Sequence, residues 1–270
     1  MVSVFNSLEW FTGFGGVVVN YDNSTGSNFA AYTLVKGKDG SWDAYDTYYT
    51  NTRSGKFSVR GLASEETDFA IYVRDKWDNC SDTLYFTTTP WFESELDKKS
   101  FQHVALSDEV MEGYGYTYQH AFNGISGSQW DTFHSGYPIP FPHYFTLDLG
   151  TIVQLSRFKM YQRPGSDCTY MHGNPKYYKV YGRTDKPTSA GMEGWTELLT
   201  CNSFKPSGLP VGEWSDEDYE LGVTNGEEFE FPLDADPVRY VRFEFLQSWS
   251  GMECTVMAEV TFWGDTTISE

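Results

Sequence analysis

Hydrophobic and polar residues recur in short strand-like runs, and in the first module no segment keeps a helical period over a dozen residues. In the first third the runs are GGVVVNY, FAAYTLVKG, AYDTYYT, KFSVRGL, DFAIYVRD and DTLYFTTT, each bounded by Gly, Asn, Asp or Ser. Strands at this spacing predict an all-β sandwich over residues 1–90. The stretch TPWFESELDKKSF then turns polar and charged. It predicts a linker and lead-in segment over 91–118. A second set of strands follows: 143–150, 156–162, 176–183, 195–200, 228–233, 239–248 and 258–264. These define a second all-β module over 119–265, with 266–270 as a C-terminal tail.

Composition strengthens the β reading. Aromatics make up 18% of the 270 residues, with 9 Trp, 19 Tyr and 20 Phe, and such residues fit pleated, half-buried surfaces. They also supply flat rings for stacking on sugars, so any one of them has two readings, core or platform. The net charge of −19, from 38 acidic and 19 basic residues, opposes binding to phosphate backbones and speaks against nucleic acid as a partner. Much of the excess lies in the segment Glu213 to Asp236, which reads as a solvated surface. No run of about eighteen apolar residues suits a membrane helix, and the first residues lack a basic, then apolar, leader.

The first module resembles the second half of a fibronectin type III domain. Gly61-Leu62, Thr67, Phe69, Ile71 and Val73 fall where that family has its G-L…T-x-Y-x-V-x-V pattern, with Phe69 replacing the usual corner tyrosine. The second module resembles discoidin, or factor V/VIII C-type, domains, which share a galactose-binding-like jelly roll. The resemblance is carried by HYFTLDLGTIVQLSRFKMYQR, GNPKYYKVYGRTD and RYVRFEFLQSWSGMECTVMAEVTFWG, in that order. A fibronectin-like module followed by a discoidin-like one resembles Bacteroidetes surface lipoproteins encoded in polysaccharide-utilisation loci. That resemblance implies the extracellular face of the outer membrane, with the lipidated leader outside this chain.

Strand parity then predicts where loops meet. If LDLGT marks one end of an antiparallel jelly roll, loops 123–142 and 163–175 lie at the other, and the discoidin resemblance places 249–257 with them. Together they carry Trp130, His134, Tyr137, Arg163, Asp167, Tyr170, His172, Asn174, Trp249 and Glu253. Rings for sugar faces and bidentate groups for hydroxyl pairs are the chemistry of carbohydrate recognition. The alternative for Trp130 and Trp249, and for Phe133 beside them, is to plug the open end of the barrel.

The discoidin resemblance also implies a structural calcium. Its side-chain ligands here would be Asn123, in FNGISGSQWDT, and Glu259. Among Cys80, Cys168, Cys201 and Cys254, the spacing fits no zinc pattern. One bridge is open, Cys168 to Cys254 being the favoured pair. No nucleophile elbow, zinc-protease helix or phosphate loop occurs. The expected function is therefore a non-catalytic carbohydrate-binding protein for an oligo- or polysaccharide. The alternative is a protein-interaction module that contacts other surface glycan-uptake proteins, and a hydrolase is the third reading.

Overall fold

The computed structural model describes residues 7–24, 26–165 and 167–268. They divide into two compact units, 1–93 and 94–270, and both are built almost wholly from strands.

The first unit has seven strands: β1 (Ser7–Gly13), β2 (Gly16–Asp22), β3 (Phe29–Lys36), β4 (Trp42–Thr50), β5 (Ser54–Val59), β6 (Thr67–Asp75) and β7 (Leu84–Thr88). One sheet has the order β1-β2-β5 and the other β4-β3-β6-β7, the three-plus-four arrangement of a fibronectin type III-like sandwich. Alternation along the strands sends Val17, Val19, Phe57, Val59, Phe69, Ile71 and Val73 into one core. Phe69 is fully buried and stacks on Phe86 with ring centroids 5.1 Å apart. A phenol at this point would need a buried partner; the phenyl ring does not. β1 has no counterpart among the predicted strands.

The second unit opens with β8 (Ser94–Glu95) and β9 (Gln102–His103), followed by β10 (Phe133–His134), β11 (His143–Tyr161), β12 (Pro175–Arg183), β13 (Thr196–Asn202), β14 (Glu227–Glu230), β15 (Val238–Ser248), β16 (Val256–Met257) and β17 (Glu259–Asp265). The main path runs β13-β12-β15-β11-β17-β8, with β9 and β14 also paired to β11. The strands expected at 143–150 and 156–162 form one long, bent strand. Its first part pairs with β15 (His143↔Phe245 to Asp148↔Tyr240) and its second with β17 (Leu155↔Gly264 to Tyr161↔Glu259). β11 thus carries the chain from one layer of the jelly roll to the other. The corner is at Gly150, whose φ of 84° suits glycine; a Cβ there would stand 2.6 Å from that of Ser100.

Phe133, Phe145, Leu147, Phe158, Val241, Phe243, Phe245 and Phe262 form the core between the layers. Much of the 91–118 segment, expected as linker and lead-in, is built into this unit: β8 pairs with β17 and β9 with β11. The same segment supplies Asp108 and Glu109 to Arg242, which is fully buried. Its guanidinium lies 2.7 Å from Asp108 and 3.1 Å from Glu109, over the ring of Tyr144 at 4.3 Å. The acidic segment 213–236 is mostly the solvated surface expected, with two of its acids turned inward. Asp218 and Glu227 are buried. Asp218 accepts hydrogen bonds from Ser207 and Ser215, and Glu227 from Ser203 and the Phe204 N–H.

Candidate functional site

Loops 123–142, 163–174 and 249–257 meet at one end of the second unit. β10 joins the first to the third through the pairs Phe133↔Met257 and His134↔Val256. The third holds the second through backbone and side-chain bonds. Trp249 N–H donates to the Asn174 carbonyl at 2.9 Å, Val256 N–H to that of Gly173 at 2.9 Å, and Ser250 Oγ–H to that of His172 at 2.7 Å. Gly173 permits this approach, because a Cβ there would sit 2.6 Å from Cys254 Sγ.

The Arg163–Pro175 connection is long because it braces itself. The Asn174 side chain accepts from the Arg163 N–H at 2.9 Å and donates to the Cys168 carbonyl at 2.6 Å. Tyr170 N–H donates to Gln162 Oε1 at 2.7 Å. Asn174 and Tyr170 are completely buried, so neither presents its side chain to a ligand as expected. An amide is the right group inside such a loop, since it satisfies one backbone donor and one acceptor at once. Trp249 also turns inward. Its ring meets Tyr170 edge-on at 5.0 Å, and its Nε1–H donates to Ser203 Oγ at 3.1 Å. Of the residues read as possible plugs, Phe133 is fully buried, Trp249 half-buried and Trp130 exposed.

Arg163 is held at the surface of the cluster. Its Nε–H donates to the Gln129 carbonyl at 2.9 Å and Nη2–H to the Tyr116 hydroxyl at 3.4 Å, with the guanidinium 5.5 Å from the Tyr116 ring centroid. Beside Gln129, Trp130 is 69% exposed, and Tyr137 in the same loop is 51% exposed. Asp167 and Glu253 are exposed, and His172 is half-buried. His134 is buried. Its Nδ1–H donates to the Ser135 carbonyl at 2.5 Å, and burial pushes its pKa, and that of His172, below the usual histidine range.

A fourth segment reaches this end without having been predicted. In Glu112–Tyr116, Tyr114 is 68% exposed and its ring lies edge-on to His134 at 5.2 Å, while Tyr116 stacks on His134 at 5.8 Å. Gly113 packs so closely on this loop that a Cβ would meet the Ser135 oxygen at 2.6 Å. The signal in the sequence is glycine interleaved with tyrosine in EGYGYTY.

The side chains expected for calcium are engaged within the chain. Asn123 Oδ1 accepts from Ile125 N–H at 2.9 Å and its Nδ2 donates to Asp131 at 2.7 Å. Glu259 pairs with the Lys98 ammonium at 3.2 Å and accepts from Gly124 N–H at 2.5 Å. The cation beside this carboxylate is the chain's own lysine. Nor does the favoured cysteine pair form a bridge. All four cysteines are free, and burial raises the thiols of Cys168 and Cys254 to about 11.

The first unit has a groove of its own, about 720 Å³, lined among others by Tyr32, Tyr49, Arg74 and Asp75. Arg74 there is paired with Asp78 at 2.5 Å.

Residues 118–264 match the family DUF5000, a domain of unknown function, and residues 1–99 match DUF5126, another domain of unknown function. A comparison with curated proteins gives no match. Among solved structures, the SusE-like protein BT2857 of Bacteroides is 35% identical, with 97% of this chain and 98% of that one aligned and a TM-score of 0.64. The C-terminal domain of a chitobiase from Bacteroides fragilis is 12% identical over 65% of this chain and 100% of that one, at a TM-score of 0.43. The GH31 CBM32-2 module bound to GalNAc is 12% identical over 60% and 95%, at 0.37. With DUF5000 covering most of its second unit and a SusE-like relative aligned along nearly its whole length, the chain belongs to the DUF5000 family, with a DUF5126 domain preceding the DUF5000 domain.

Proposed function

We propose that the protein binds an oligo- or polysaccharide, without catalysis, on the loop end of its second unit. In this reading the first unit is a spacer, and a lipidated leader outside this chain anchors the protein to the outer face of the outer membrane. The SusE-like relationship supports the class of function.

The observation that carries the reading is Arg163. Its guanidinium is held by Gln129 and Tyr116 at the loop end that also carries the exposed rings of Trp130 and Tyr114. Rings take the apolar face of a pyranose, and a positioned guanidinium donates to adjacent hydroxyls. Because the side chain is already ordered, binding avoids about 0.5–1.5 kcal/mol of rotamer entropy, roughly two- to tenfold in affinity. One such site is weak, and many copies on a cell surface compensate through multivalency.

Affinity electrophoresis on plant and host polysaccharides tests the proposal, with a reducing-sugar assay on each. Retardation without release of oligosaccharide supports it. Release of oligosaccharide favours a hydrolase. Failure on every polysaccharide, with capture of another surface glycan-uptake protein, favours the interaction module.

A further inference from the structure

Each of the three loops contributes one metal-binding side chain to a single point below the rim. His134 comes from loop 123–142, His172 from 163–174 and Cys254 from 249–257, and one ligand atom of each lies within 4.8 Å of the others. We propose that these three residues bind one borderline-soft divalent transition-metal ion, represented by Zn²⁺, and that the ion fastens the loops to one another.

The donor set selects the metal. Two imidazoles and a thiolate suit zinc and its neighbours and are poor ligands for calcium or magnesium. Bonds of about 2.0–2.3 Å in a tetrahedron set ligand atoms about 3.3–3.6 Å apart, so an inward movement of at most about 1.5 Å completes the geometry.

The surroundings prepare the ligands. A carbonyl accepts only, so the bond from His134 Nδ1–H to Ser135 O leaves the Nε2 lone pair of the neutral ring free. Orientation of a ligating histidine through its second nitrogen is usual in metal sites. His172 Nδ1 is buried with no hydrogen-bond partner, and a metal bond offers it one. Cys254 is fully buried and unbridged, and its sulfur sits against Gly173, where no side chain intervenes. On binding, the Cys254 S–H bond breaks, a metal–sulfur bond forms and the proton passes to solvent. Three protein ligands leave a fourth position for water or another donor.

The test uses the tag-free, reduced chain, titrated with Zn²⁺ by calorimetry and with Co²⁺ by absorption spectroscopy. The expected result is one equivalent of Zn²⁺ and a thiolate-to-cobalt charge-transfer band. Cys254→Ser removes the band, and His172→Ala weakens Zn²⁺ binding about tenfold or more with an unchanged circular dichroism spectrum. Should Cys254→Ser fail to fold, His172→Ala decides alone. Absence of stoichiometric Zn²⁺ binding, or wild-type affinity in His172→Ala, overturns the proposal. Neither outcome depends on whether a glycan binds.

Discussion

Arg163 and Gln129 are joined by a 2.9 Å hydrogen bond from the guanidinium Nε–H to a backbone carbonyl, across 34 positions of sequence. The carbonyl orients the guanidinium without neutralising it, so its charge is still available to a ligand. Gln129 in turn precedes Trp130, and this bond therefore ties the cation to the loop that carries the ring.

The loop bearing Arg163 depends on Asn174. Asn174→Ala leaves the Arg163 N–H without its partner, while the Cys168 carbonyl keeps the Met171 N–H. The expected loss is about 1–3 kcal/mol, read by calorimetry as a melting temperature of the second unit lowered by roughly 2–12 °C. A shift of under 2 °C, to order of magnitude, would mean the brace is unimportant.

Arg242 makes a second, larger dependence. Glu109→Ala removes a carboxylate that also accepts from Thr146 N–H and Oγ–H, and it strips a buried guanidinium of one of its two acids. Breaking a buried pair from one side costs about 3–5 kcal/mol. Denaturant titration should show this as a lowered midpoint with an unchanged slope.

Glu227 links the rim to pH. Burial raises its carboxyl from 4.5 to about 7, and its partner Ser203 accepts from Trp249. Between these values the unfolded chain has released the proton and the folded chain keeps it. Stability from this group is thus full below about pH 4.5 and lost as pH rises through about 7. Glu259, raised to about 7 by burial, acts in the same direction. Glu227→Gln should flatten the pH dependence between these limits by up to about 1.4 kcal/mol per pH unit, and its stability relative to wild type should be greater at pH 8 than at pH 4.5. An unaltered slope in denaturation across this range would contradict the assignment.

The strands of both units were legible because alternation survives where one face meets a core, as in Val241, Phe243 and Phe245. β1 was not: Leu8 and Trp10 pack against the core from a sheet edge while Phe11 remains exposed, which blurs the alternation. Meeting of two loops followed from strand direction and of the third from the discoidin resemblance, but the side on which each loop residue points did not. Tyr170 and Asn174 have the same composition as ligand-binding residues and face inward. Tyr114 lies outside the predicted loops and faces solvent. The long connections bring His134, His172 and Cys254 together through backbone bonds that no spacing rule encodes.

The most direct measurement compares variants on whichever polysaccharide retards the wild-type protein most strongly in affinity electrophoresis. Arg163→Ala and Trp130→Ala should each reduce retardation by about tenfold in affinity or more, the cost of about 1.4 kcal/mol. Tyr49→Ala, in the groove of the first unit, should leave it unchanged. Full retardation of both rim variants, or loss of binding in Tyr49→Ala alone, would contradict a glycan site on the second unit.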